Sequence, residues 1–139
     1  MTDKEVYITK SHALFTINVL EKLKGIEEIV KYAAGHHERL NGTGYPLGLK
    51  NDQISIGARI MAIADIFTAI TEDRPYRDGM DKDKSMRVLM IGAKEGEIDH
   101  IIVKILIDNY DFINQRRIEA QNLAREEFEE FRKIVEFAA

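Results

Sequence analysis

Apolar positions along the chain fall at helical spacing almost throughout. Between residues 11 and 24, Phe15, Val19, Leu20 and Leu23 form one stripe, His12 stands at its head, and Gly25 offers a stop. A second helix is predicted over 26–37, where Ile26, Ile29, Val30, Ala33 and His37 share a face. His36 lies about 100° away on the same last turn. Residues 39–53 break the pattern with three glycines, one proline and two asparagines, and read as a loop of demanding backbone geometry. A loop of that length in a compact domain is often functional.

Over 55–71 apolar residues occupy two faces. Ile56, Ile60, Ile63, Phe67 and Ile70 mark one, and Ala58, Met61, Ala62 and Ala69 the other, so this helix is predicted to be buried nearly all round, with Asp65 inside the second face. Residues 73–79 interrupt it, and a helix over 82–94 carries Met86, Leu89, Met90 and Ala93. After Gly96 no glycine or proline intervenes, so one helix of roughly 60 Å at 1.5 Å per residue is predicted, bent or broken near Asn109 or Asn114. Its first part, 101–107, is core-like. Beyond Tyr110 only a stripe persists: Ile113, Ala120, Ala124, Phe128, Phe131, Val135 and Ala138. No useful β alternation and no internal repeat are found. The expectation is an all-α fold, with a helical domain over 1–110 and a helical extension over 111–139.

Composition narrows the chemistry. In 139 residues, 45% hydrophobic and 32% charged, there is room for one sizeable core. No run of about 18 apolar residues and no signal peptide are found, so a cytoplasmic protein without membrane insertion is expected. Zero cysteines remove disulfides, thiolate metal sites and thiol nucleophiles together. A formal charge of −4 provides no footprint for a nucleic acid polymer. Any metal must therefore be held by His, Asp or Glu.

His12, His36, His37 and Asp65 are the informative set, because all four fall on predicted buried faces of three helices. Neutral imidazoles and carboxylates suit divalent transition metals, and an isolated aspartate in an apolar face is costly unless it is paired or bound to a cation. The alternatives stay open: histidines satisfied within a core, and Asp65 paired with Arg59 or Lys31. His100, after Asp99, reads as part of an exposed capping-region pair. The loop reads either as a turn cluster or as a weak phosphate cradle, since it matches neither common phosphate-binding pattern. Lys10, Arg39, Arg74 and Arg77 are the basic candidates for anionic oxygens.

The string from His36 to Pro46, HHERLNGTGYP, followed by Ala58 to Ile70 and by RPYR at 74–77, closely resembles the HD-GYP branch of the HD-domain phosphohydrolases over roughly residues 8–95. The resemblance implies an all-α bundle and hydrolysis of cyclic di-GMP at a centre of two or three metals, often iron or manganese, with zinc a further candidate. It implies metal ligation by His12, His36, His37 and Asp65. It also implies substrate or partner contacts by Lys10, by the loop residues Asn41, Gly42, Gly44, Tyr45 and Pro46, and by Arg74 and Arg77.

One departure matters. The family's defining His-Asp dyad and a first His ligand precede the residue matching His12, whereas this chain holds only eleven residues before His12 and no His-Asp dipeptide. The expectation is accordingly the carboxyl-terminal portion of such a domain, with one ion or none, and with no residue assigned a catalytic role. The alternatives are a non-catalytic interaction or dimerisation module with a homodimer or signalling partner, and a cyclic-dinucleotide receptor.

Overall fold

A computed structural model describes residues 2–74 and 76–137, the side chains of residues 3–7, 9 and 137 excepted. Among the described residues there are six α-helices: α1 (Asp3–Leu20), α2 (Glu27–Gly35), α3 (Ile56–Thr71), α4 (Lys82–Lys94), α5 (His100–Asp108) and α6 (Tyr110–Phe137). One 3-10 turn, Asn51–Gln53, lies within the long loop. Among the described residues there is no strand, only an isolated bridge between Arg74 and Arg77, so the fold is all-α.

The chain divides into two compact units, one ending at Ile105 and the other beginning at Leu106. In the first, α1 packs on α2, α2 on α3 and α3 on α4. α1 begins earlier than the apolar stripe alone indicates and ends at Leu20, where the Leu23 amide bonds back to the Leu20 carbonyl at 2.9 Å and the chain turns through Gly25 at φ +86°. Residues 3–10 contain no helix breaker, so the helix extends through them without a strong stripe. α2 and α3 approach closely: a Cβ on Gly35 would lie 2.9 Å from the Ala58 Cβ.

α3 starts at Ser55, whose side chain accepts from the Ala58 amide at 3.3 Å. The expectation that it is buried nearly all round is corrected. Ala58, Ala62, Ile63 and Phe67 are buried, whereas Ile56, Ile60, Met61 and Asp65 are exposed. α2 and α4 pack on this helix, and each of the two apolar faces has both buried and exposed members, so Ile56, Ile60, Met61 and Asp65 are left outside that packing. Asp65 is exposed, and the alternative pairing with Arg59 or Lys31 is not the one found: Lys31 pairs with Glu28 at 2.6 Å, and Arg59 with Asp99 at 3.0 Å.

Asp99 is more deeply placed than an exposed cap. It is 8% exposed, accepts from the Ile101 and Ile102 amides at the start of α5, and holds Arg59, which also donates to the Ile54 and Asn51 carbonyls. Burial alone would raise the Asp99 carboxyl, but the Arg59 hydrogen bond and the two amides outweigh it and hold it below the ordinary carboxylate range. This network ties the loop, α3 and the start of α5 together. The loop is further fixed by the Leu40 amide on the Glu97 carbonyl at 2.9 Å.

The final segment is two helices, broken at Asn109. α6 is long and carries Phe128, Phe131 and Val135 exposed on its stripe. Ala138, the last member of that stripe, lies outside the described residues. No helix among the described residues is long and apolar enough to cross a membrane.

Candidate metal centre

The centre is built where α2 stops. The sequence pattern carries the second helix to residue 37, but α2 ends at Gly35, and the Glu38 amide bonds to the Gly35 carbonyl at 3.0 Å. His36 and His37 thus sit in a tight turn beyond the helix rather than on separate faces of it, and their ring centroids are 3.9 Å apart. α1, packed against α2, brings His12 to the same place. His12 and His37 face each other with Nε2 to Nε2 at 3.0 Å and ring centroids at 4.9 Å.

One ring nitrogen from each of His12, His36 and His37 lies within 4.8 Å of the others. Two nitrogens bound to one ion at about 2.1 Å, with angles between octahedral and tetrahedral, stand about 3.0–3.4 Å apart. The His12–His37 spacing fits that requirement. The His36 Nδ1 atom lies 2.7 Å from the Ala33 carbonyl, which can only accept, so Nδ1 carries the proton and Nε2 is left with its lone pair. Burial, then the neighbouring His36, pulls the His37 pKa down to about 4; Asp65 opposes that shift and His12 adds to it. His37 is consequently neutral at pH 7, the form in which imidazole binds a metal. The triad is a donor set able to hold a divalent transition metal.

Burial of these residues is corrected relative to the sequence pattern: His12 is exposed, and His36 and His37 are half-buried. The cluster stands at an edge of the α1–α2 pair rather than inside a core. Asp65 is brought near without joining the cluster. Its charge is felt by His37, Tyr45 and Arg74.

The glycine-rich loop folds over the histidines. Gly42 sits at φ +80°, and Asn41 Oδ1 accepts from the Thr43 amide at 3.1 Å and the Thr43 hydroxyl at 2.7 Å. A Cβ on Gly44 would overlap the backbone of Glu38 and Arg39, so glycine permits the close return. The Tyr45 amide donates to the His37 carbonyl at 3.2 Å, and the Tyr45 ring stacks on His37 at 4.7 Å and 27°. The Tyr45–Pro46 peptide is cis. Lys10 Nζ stands 5.2 Å from the Tyr45 ring centroid, a cation over an aromatic face. Arg74 is exposed and reaches the Tyr76 hydroxyl at 3.4 Å, whereas Arg77 donates to the Ala69 carbonyl near the end of α3.

Sequence reasoning passed over Glu38. It is buried, and its two oxygens accept from the Leu47 amide at 2.7 Å and the Leu49 amide at 2.9 Å. Its signal was available: a loop rich in unpaired amides needs acceptors, and this carboxylate immediately precedes it.

The sequence pattern of the HD domain family matches residues 1–102. The chain belongs to the HD domain family. This HD domain is 39% identical over 89 residues to the 3'3'-cGAMP-specific phosphodiesterase 3 of Vibrio cholerae, an alignment covering 64% of the chain and 19% of that protein. It is 34% identical over 135 residues to a Vibrio cholerae protein named "Probable cyclic di-GMP phosphodiesterase", covering 91% of the chain and 30% of that protein. A cyclic di-GMP phosphodiesterase of Pseudomonas aeruginosa is 38% identical over 88 residues, covering 63% of the chain and 21% of that protein. The HD domain thus spans between 19% and 30% of the length of these three relatives.

Proposed function

We propose that this HD domain is the histidine-bearing part of a metal-dependent phosphodiesterase acting on a cyclic dinucleotide such as cyclic di-GMP or 3'3'-cGAMP. The observation that carries the reading is the convergence of His12 on α1 with His36 and His37 in the turn after α2, one ring nitrogen of each within 4.8 Å of the others. The names of the similar proteins supply the substrate class.

In this reading the three histidines hold an iron, manganese or zinc ion. When bound, such an ion supplies Lewis-acid stabilisation of charge on a phosphoryl oxygen and acidifies water. The chain's own residues do the rest. His36 keeps its lone pair available through the Ala33 contact, and Tyr45 walls one side. Lys10 offers positive charge beside that wall for a substrate phosphate, and Arg74 offers it near Asp65. Asp65 is the candidate ligand of a further ion, given its reach to His37. Asn41, Gly42, Gly44 and Pro46 shape the loop that borders the site, and Arg77 braces the segment carrying Arg74.

The test is metal content per chain by elemental mass spectrometry, for the wild type and for a His36→Ala/His37→Ala variant, followed by Mn²⁺- or Fe²⁺-dependent release of linear dinucleotide. Near-stoichiometric metal that falls to background in the variant is the expected result, with release of product once a segment carrying the missing His-Asp dyad is supplied. No metal in either protein overturns the reading. Calorimetric binding of intact dinucleotide without product would instead favour a receptor. A second reading, an association module, is favoured by one observation only: the exposed stripe of Phe128, Phe131 and Val135 on α6.

A further inference from the structure

Glu38 is a carboxylate at 2% exposure whose two oxygens are both taken by backbone amides of the same loop. A buried carboxylate needs such partners, and charge-assisted bonds of this kind are short and directional. Gly48, at φ +65°, lies between the two donors and turns the flanking Leu47 and Leu49 amides toward one acceptor. Glu38 also directly follows His37 in sequence. The loop is therefore fastened to the turn of the histidines at two adjacent residues. The Tyr45 amide grips the His37 carbonyl, and the Leu47 and Leu49 amides grip the Glu38 side chain.

Between these fastenings lies the Tyr45 ring, stacked on His37 and set edge-on to His12 with centroids 6.5 Å apart. It touches two of the three clustered rings. An imidazole with a free χ2 sweeps its Nε2 through a wide arc, and a stacked ring removes that freedom. We propose that Glu38 is a positioning residue for the histidine cluster: by holding the 47–49 amides it sets Tyr45 against His37 and so fixes the direction in which His37 presents Nε2. This rests on the metal-site reading above and adds to it the part of the loop that orients a ligand. Glutamine cannot substitute, because it offers one acceptor oxygen and turns an NH₂ toward the other amide.

The experiment has a metal-free arm and a metal arm. In the metal-free chain, the His37 ring-proton NMR shifts carry the ring current of Tyr45. Glu38→Gln and Tyr45→Leu should each displace them, and Tyr45→Phe should not. In the metal arm, Co²⁺ is titrated and its d–d absorption recorded. Glu38→Gln and Tyr45→Leu should each weaken binding by about tenfold and alter the spectrum, Tyr45→Phe should match the wild type, and the double variant should be no weaker than the worse single one.

Unchanged His37 shifts or unchanged Co²⁺ affinity in Glu38→Gln overturns the inference. So does a double variant whose loss is the product of the two single losses. If Glu38→Gln does not fold, Tyr45→Leu against Tyr45→Phe still decides, since equal Co²⁺ affinity in those two removes the orienting ring from the argument. A wild type that takes up no Co²⁺ overturns the metal-site reading itself, and that failure is seen before any variant is compared.

Discussion

His37 links protonation to folding because its neutral form is favoured in the folded chain. Its pKa falls from the ordinary 6.5 to about 4, so on acidification the unfolded chain takes up the proton first. Its contribution to stability is complete above about pH 6.5 and is lost as the pH falls toward 4. Thermal melts of metal-free protein should show that decline between pH 6.5 and 4, and His37→Gln should flatten it. Asp99, held below the ordinary carboxylate range, has the opposite origin but acts lower: its contribution goes as pH falls below 3.8. Asp65 supplies a second check. Its negative charge raises the His37 pKa against the burial effect, so Asp65→Asn should move the His37 titration still lower, as followed by NMR of the ring protons.

Among the elements, the α2–α3 contact and the Asp99 cap are the most exposed to substitution. Gly35→Ala adds a methyl 2.9 Å from the Ala58 Cβ, and although alanine is the better helix former, overpacking should cost about 1–3 kcal/mol in urea denaturation. Asp99→Ala removes a cap and the partner of Arg59 together, with an expected loss of about 2–4 kcal/mol in the same measurement. The helices and their order are legible from apolar spacing, and so is the loop; a break is expected near Asn109 or Asn114, and it falls at Asn109. The ends are not. α2 stops at Gly35 because the chain must turn for His36 and His37, and periodicity contains no information about that turn. Asp65 and His12 were misread as buried for a related reason: a helix wheel identifies an apolar face but not whether another element covers it. Glu38 was missed because its partners are amides of a loop, and their directions depend on Gly44 and Gly48.

For the whole molecule, the two compact units carry different surfaces. The first presents the histidines with Lys10 and Arg39 nearby, although the formal charge of the chain is −4. Under the proposed function, attraction of an anionic dinucleotide would therefore be local, and its affinity should fall with added salt and fall further in Lys10→Gln, as read by calorimetry. The second unit presents the α6 stripe. If it mediates association, light scattering should give a mass about twice that of one chain, and Phe128→Glu/Phe131→Glu should restore the single-chain value.

The position of the histidines along the chain has a mechanical meaning. His12 and His37 are 25 residues apart, one on α1 and the other past the end of α2. A shared ion would close that stretch into a ring and act as a staple in a chain that has no cysteine with which to make one. Chelation should then loosen α1 before any other helix, with its amides the first to exchange with deuterium.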